Sequence, residues 1–265
     1  MKRARSVLIC HHDEPLNRFG LARWLASFTD LAAIVVVCEP PARLWRRIRR
    51  EIQRVGVLRF IDVLAFRIYY RFALAGADNV WAEATLNNLF QRYVDIPASC
   101  RVLETPSPNS AEVVKLLQQV QPDLIVARCK NILREQVFKA ASNGTFVLHP
   151  GVCPEYRNAH GCFWALARRD LENVGMTLLR VDAGVDTGPV YGYYRCRFDE
   201  SRESHIVIQN RVLFDNLDLL RAKFEEILSG EAQMIDTAGR NSRAWGQPWL
   251  MSYLRWKRAA RRRTE

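Results

Sequence analysis

Two polar clusters in the second half of the chain hold residue types that can do chemistry. The first runs His149-Pro150-Gly151-Val152-Cys153-Pro154-Glu155-Tyr156-Arg157-Asn158-Ala159-His160-Gly161, the second Val181-Asp182-Ala183-Gly184-Val185-Asp186-Thr187-Gly188-Pro189. Each follows a β-rich run. A histidine at a strand end and an aspartate in a glycine-rich turn can form an imidazole–carboxylate pair. Such a pair fixes the imidazole tautomer and suits proton transfer near neutral pH. By residue type alone, the histidine serves equally well as a cap or core residue, and the aspartate as a turn former.

The elements that would position these clusters follow a βα rhythm. Residues 6–10 form a short β-rich run, a polar loop His11-His12-Asp13-Glu14 follows, and Leu21, Trp24, Leu25 and Phe28 recur at helical spacing before a second strand over 31–38. This βαβ opening predicts a parallel sheet. Residues 42–95 depart from it and read as a helical insertion: an arginine-rich helix over 43–55, an apolar one over 57–74 and a shorter third over 81–93. Alternation resumes with strands over 101–104, 124–127, 145–149, 175–181 and 190–198, helices over 111–120, 134–141 and 162–169, and one long helix over 204–228. Ser107-Pro108-Asn109-Ser110 is a helix-start signal. The expected class is α/β: an open, mostly parallel, Rossmann-like sheet with helices on both faces and the insertion. Both clusters would then stand in the crevice beyond the strand carboxyl ends, the usual ligand site of such sheets.

Composition narrows the class. The apolar run 57–74 is interrupted by Arg59, Asp62, Arg67 and Arg71, which argues against a membrane span. The basic start is too short for a signal peptide, and seven cysteines without a CxxC pair fit a reducing compartment. A cytoplasmic location follows. No metal site is expected, because His11, His12 and Asp13 are consecutive and their side chains diverge. G-x-G-x-x-G is absent. The net charge of +11 is concentrated: residues 43–54 hold six Arg and one Glu, residues 255–263 hold six Lys or Arg and no acid, and the remainder is neutral. The basic helix reads as a solvated face, as a peripheral contact with anionic membrane in which Trp45 and Ile48 dip inward, or as a phosphate-contacting surface. The basic tail reads by default as a disordered charged end.

The run from Gly144 to Gly188 resembles the signature region of the folate-dependent formyltransferases, the family of the glycinamide ribonucleotide, methionyl-tRNA and sugar N-formyltransferases. His149-Pro150-Gly151 followed by Pro154-Glu155-Tyr156-Arg157 is similar to the family's His-Pro-Ser-Leu-Leu-Pro-x-Tyr-Arg-Gly. Val174-Gly175-Met176-Thr177 is similar to its Gly-Val-Thr strand, and Asp182-Ala183-Gly184-Val185-Asp186-Thr187-Gly188 to its Asp-Glu-Gly-x-Asp-Thr-Gly. The similarity covers residues 100–200 well and the first strand loosely.

The resemblance implies a formyltransferase fold, with residues 1–230 as a catalytic domain and 231–265 as a basic extension. It implies that His149 and Asp186 are catalytic and that 10-formyltetrahydrofolate donates the formyl group. Asn131, Ile132 and Leu133, with Val181, Asp182, Ala183 and Gly184, would hold the pterin. Acceptor contacts would come from His11, Arg157, Asn158 and His160. The expected acceptor is an amine on a small molecule or glycan. A nucleic acid is not expected, because too few residues follow the long helix to build an appended barrel domain. The apolar helices at 57–74 read as a homodimer surface, a membrane-facing surface or part of the core. One departure stands out: where the family carries an asparagine two residues before the histidine, this chain has Val147, which has no donor for an oxyanion. Asn131, Asn158 and His160 are candidate replacements. The alternatives are altered acyl or folate chemistry, or a non-catalytic binding role.

Overall fold

The structure, a computed structural model, describes residues 3–40 and 42–264. Its centre is a seven-stranded sheet with spatial order β3-β2-β1-β4-β5-β7-β8. The strands are β1 (Arg5–His11), β2 (Asp30–Val37), β3 (Arg101–Thr105), β4 (Leu124–Arg128), β5 (Thr145–His149), β7 (Met176–Arg180) and β8 (Val190–Tyr194). The first five are parallel, whereas β7 runs antiparallel to both β5 and β8. A two-stranded parallel pair, β6 (Arg157–Asn158) with β9 (Ala244–Trp245), lies apart from it.

Side chains alternate across each strand, so the sheet has two apolar faces. Leu8, Val126, Phe146 and Leu148 go to one face, covered by α1 (Ala22–Phe28), α8 (His205–Phe214) and α9 (Leu217–Ser229). Val7, Ile9, Ile125 and Ala127 go to the other, covered by α5 (Ala111–Val120) and the short α6 (Glu135–Phe138). Ser110 caps α5 by accepting from the Val113 amide, and Ser204 caps α8 from two amides. The helical cover on the second face lies over β1, β2 and β4 and reaches β5, where Thr145 donates to the Phe138 carbonyl of α6 and Val147 packs against the same cluster. Val147 and Leu179 also meet Cys153 and Val190, which come from the loop after β5 and the start of β8.

The insertion consists of α2 (Ala42–Val55), α3 (Val57–Tyr69), a π-helical turn (Tyr70–Leu74) and α4 (Ala75–Arg92). The third helix is therefore longer than its apolar pattern predicts: it starts six residues earlier and continues the preceding turn. The expected single helix over 204–228 is broken. Asn216 stands between α8 and α9, its side-chain amide donating to the Val212 and Arg195 carbonyls, an arrangement that competes with helix continuation. The last strand ends at Tyr194, not Phe198.

The tail does not hang free. α10 (Leu250–Thr264) packs against α3 and α7 (Gly161–Ala167). It buries Tyr253 and Trp256 in an aromatic cluster with Phe66, Phe163 and His205. His205 is 2% exposed, and its Nδ1 has no hydrogen-bond partner. Burial, with His160 and Lys257 nearby, holds this imidazole well below its usual range.

A group that stays neutral when folded but takes a proton when unfolded withdraws stability as pH falls through its unfolded pKa. Unfolding free energy should therefore decline below pH about 6.5, approaching roughly 1.4 kcal/mol per pH unit for this histidine. Urea titrations between neutral and mildly acidic pH should show a shallower decline in His205→Phe.

Candidate active site

His149 ends β5 and shares its sheet face with Val147. The ring is 4% exposed. Its Nε2 lies 2.8 Å from the Tyr156 carbonyl oxygen, and its Nδ1 lies 3.3 Å from Asp186 Oδ2. A carbonyl can only accept, so Nε2 carries a proton. Asp186 Oδ2 also accepts from the Asn158 amide at 2.8 Å. The Nδ1–Oδ2 contact therefore faces acceptor to acceptor unless a proton lies between. Imidazole and carboxylate thus form a pair whose Nδ1–Oδ2 contact is the place where a proton can be exchanged. Asp186, with 15% of its side chain exposed, is the member open to solvent.

Asp186 reaches His149 by an unexpected route. Because β7 is antiparallel, it ends beside the beginning of β5, where the Val181 amide donates to the Thr145 carbonyl. The second cluster thus leaves the sheet at the edge opposite His149. The loop returns across the sheet face to bring Asp186 to the imidazole. Within the loop, Asp182 accepts from Gly184 and Thr187, and Arg157 donates to the Val185 carbonyl at 3.0 Å. Asp186 and Asn158 both have positive φ, at 52° and 73°, a conformation that Asp and Asn tolerate better than most residues.

The loop after β5 requires close backbone packing. A Cβ on Gly151 would collide with the Tyr156 carbonyl and stand 3.0 Å from His149 Nε2. One on Gly161 would come within 2.5 Å of the Gly151 Cα. The C-terminal segment clamps this loop from outside. Arg157 and Asn158 pair with Ala244 and Trp245, the Asn158 amide side chain donates to the Trp245 carbonyl, and Arg240 grips Glu155 with two nitrogens. Trp245 stacks against both Tyr156 and Trp164. Sequence reasoning did not assign this segment to the site. The cue available was a tryptophan inside an otherwise polar stretch.

The other candidate residues are distributed as follows. His11 is buried, with Nε2 accepting from the Lys130 amide at 2.9 Å, and burial together with Lys130 lowers its pKa. It is a neutral acceptor there, and the cation of that corner is Lys130, paired with Glu14. Burial alone would raise the Glu14 pKa, but Lys130 and Arg128 overcome it. Asn131 donates to Glu39, while its Oδ1 is buried without a partner. The Ile132 carbonyl accepts from Asn109, its side chain is exposed, and Leu133 is buried under the sheet.

Among the described residues no hydrogen bond or ion pair joins 131–133 to 181–184. The structure brings together His149, Asp186, Asn158 and Arg157, whereas His160 turns into a separate cavity of about 220 Å³ beside Phe66, Tyr70 and His205. There burial, with Lys130 and Arg67, pushes its pKa down to about 4. Val147 is half-buried against Cys153, Leu179 and Val190. Burial pushes both cysteines of the loop up, Cys162 to about 12, so neither is a nucleophile at neutral pH. Among the described residues no group of three His, Cys, Asp or Glu could hold a metal ion, and no helix is long and apolar enough to cross a membrane.

The formyl transferase family model matches residues 81–222, more than half of the chain and all of the paired site. The chain belongs to the formyl transferase family. It is 38% identical over 87 residues to a methionyl-tRNA formyltransferase of Chlorobium limicola, covering 33% of this chain and 27% of that protein. It is 29% identical over 160 residues to one of Xanthomonas campestris pv. campestris, covering 56% and 52%. The chain thus spans about a quarter to a half of the length of these curated relatives. The fold matches phosphoribosylglycinamide formyltransferase from Anaplasma phagocytophilum with a TM-score of 0.55 at 13% identity, covering 93% of this chain and 100% of that one. It matches a sugar N-formyltransferase from Shewanella sp FDAARGOS_354 with a TM-score of 0.52 at 14% identity, covering 91% and 76%.

The clamp can be tested independently of any substrate. Trp245→Ala should cost about 3 kcal/mol or more of stability. It should also speed amide exchange at Arg157 and Asn158 while leaving β1 and β2 protected, as read by hydrogen exchange and mass spectrometry.

Proposed function

We propose that this chain transfers a formyl group from 10-formyltetrahydrofolate to an amine of a small-molecule or glycan acceptor, at the cytoplasmic side of the cell. The observation that carries the reading is the buried His149–Asp186 pair, Nδ1 to Oδ2 at 3.3 Å, set in a family whose chemistry is formyl transfer. In this reaction the amine nitrogen attacks the formyl carbon, the carbonyl electrons move to oxygen, and the carbon–N10 bond then breaks. One proton must leave the amine and one must reach N10. The pair can take the proton from the amine and pass one to the departing N10, so that its own count is unchanged. The carboxylate, as the more exposed member, meets the reactants. His149 lies behind it and stabilises its charge.

The folate fits the residues present in two respects. Asn131 offers a buried, unpartnered carbonyl oxygen to a ring N–H, and Ile132 offers an exposed apolar side chain to a flat ring. The oxyanion is less well served. Val147 has no donor, and the side-chain amides of Asn131 and Asn158 already donate to Glu39 and Trp245. Arg157 supports a compensating role: its Nε is buried without a partner, and its guanidinium is anchored one residue from Asp186 by the Val185 carbonyl.

The deciding experiment incubates the protein with 10-formyltetrahydrofolate and a panel of amino-sugar nucleotides and other amines, with mass spectrometry for the gain of one formyl group. Turnover should fall by at least about a hundredfold in His149→Ala and Asp186→Ala. Folate binding without formylation of any amine would instead favour a non-catalytic role.

A second comparison isolates the departure from the family pattern. Val147→Asn restores a donor on the His149 face and should raise kcat by about tenfold or more if oxyanion stabilisation limits the rate. An unchanged kcat, together with a comparable loss in Arg157→Met, would assign the missing donor to Arg157.

A further inference from the structure

α3 and the π-helical turn after it present apolar side chains on two sides. Val63 and Phe66 face inward and are buried, at 2% and 4% exposure. The other side carries Val57, Ile61, Leu64, Ile68 and Phe72, separated by four, three, four and four residues, with Leu58 beside them. All six are exposed, Leu58 and Phe72 by more than 80%. At this spacing they form one continuous row along the helix. A row of six large exposed apolar side chains is more than a soluble monomer usually leaves in water.

The charge around this row is equally uneven. α2 and α10 both pack against α3, and they carry most of the excess cations. Residues 42–74 hold nine arginines and two acids. Residues 250–264 hold six cations and no acid, and the rest of the chain has 24 cations and 26 acids. Arg49, Arg50, Arg59, Arg71, Arg255 and Arg258 are exposed. The net positive charge of the protein is therefore collected around one apolar stripe.

We propose that this face docks on an anionic lipid bilayer. The stripe of α3 would sit at the level of the acyl boundary, and the arginines around it would lie among anionic headgroups. The alternative occupant, a second copy of the chain, would bring two arginine-rich collars into apposition across a two-fold axis, a like-charge contact that opposes association. A polyanion such as RNA would engage the arginines but leave the apolar row in water. Of the elements that the sequence offered for such a contact, the apolar helix at 57–74 supplies the inserting side chains. Trp45 is 74% exposed, whereas Ile48 is half-buried, so α2 contributes charge and one ring while α3 contributes the apolar face. The proposal does not depend on the chemistry assigned to His149 and Asp186.

The test is co-sedimentation of the full chain with phosphatidylcholine vesicles, with and without a quarter of phosphatidylglycerol, at low and high salt. Binding should require the anionic lipid, weaken with salt, and fall by roughly tenfold or more in Ile61→Ser/Ile68→Ser/Phe72→Ser. The same change at the exposed, distant Leu219 should leave binding intact. These substitutions are at solvent-facing positions, and circular dichroism with the thermal midpoint will confirm that the variants fold. Binding that survives loss of the stripe would reduce the contact to charge alone and overturn the proposal. So would absence of binding to either vesicle. A dimer seen by light scattering that the stripe variants dissolve, without vesicle binding, would give the face to a second copy.

Discussion

The hydrogen bond from His149 Nε2 to the Tyr156 carbonyl constrains everything around it. A carbonyl has no proton to give, so the imidazole must spend one on it. Its other nitrogen then faces Asp186 Oδ2 at 3.3 Å. That arrangement is reached only where the loop from Pro150 to His160 folds back tightly enough to bring the Tyr156 carbonyl under the ring. The tightness in turn demands glycine at 151 and 161, where any side chain would strike backbone. A loop so bent, with Asn158 and His160 at positive φ, is not held by local preferences. It is held from outside by β9, by Arg240 on Glu155 and by the stacked Trp245. Residues some 85 positions away in sequence thus determine where the Tyr156 carbonyl meets the imidazole.

The reversed direction of β7 sets the second boundary condition. Had β7 been parallel, the Asp186 loop would have left the sheet beside His149 and needed no return path. Being antiparallel, it must cross the face that Val147 occupies, and there Val147 packs with Leu179 and Val190. The valine therefore has a structural use that an asparagine would serve less well. It fills the apolar floor over which the loop returns, between the cluster under α5 and α6 and the side chains of Cys153 and Val190. The loss of a donor and the gain of a packed floor occur at the same position.

The sequence disclosed what depends on short-range pattern. The parallel strands, the serine cap of α5, and the histidine and aspartate with their glycine-rich surroundings were legible because each is a local signal of strand, cap or turn chemistry. The geometry of the pair was not, since it depends on the direction of β7 and on a 28-residue return from Asn158 to Asp186. The clamp by residues 240–246 was illegible for the same reason: a two-residue strand has no periodicity to detect. The break at Asn216 was hidden because the apolar spacing continues across it and only the side-chain bonds to Val212 and Arg195 reveal the interruption. The ordered α10 was masked by its own composition. A run of arginines resembles a solvated end until Tyr253 and Trp256 find the aromatic cluster that buries them.

α3 illustrates the opposite failure, in which a clear pattern has two meanings. Apolar residues all around a helix imply burial on all sides, and by that rule α3 should lie inside the molecule. It lies instead at the surface, with Val63 and Phe66 turned inward and the row from Val57 to Phe72 left outward. Only the surroundings distinguish the two cases. A core helix is flanked by other apolar elements, whereas α3 is flanked by the two helices that collect the chain's arginines, while the remainder of the chain is near neutrality. Charge of this kind destabilises a compact fold unless something offsets it. The sheet and its His149–Asp186 pair form one physical unit. The arginine-collared apolar face forms another, joined to the first through the aromatic cluster of Phe66, Phe163, His205 and Tyr253.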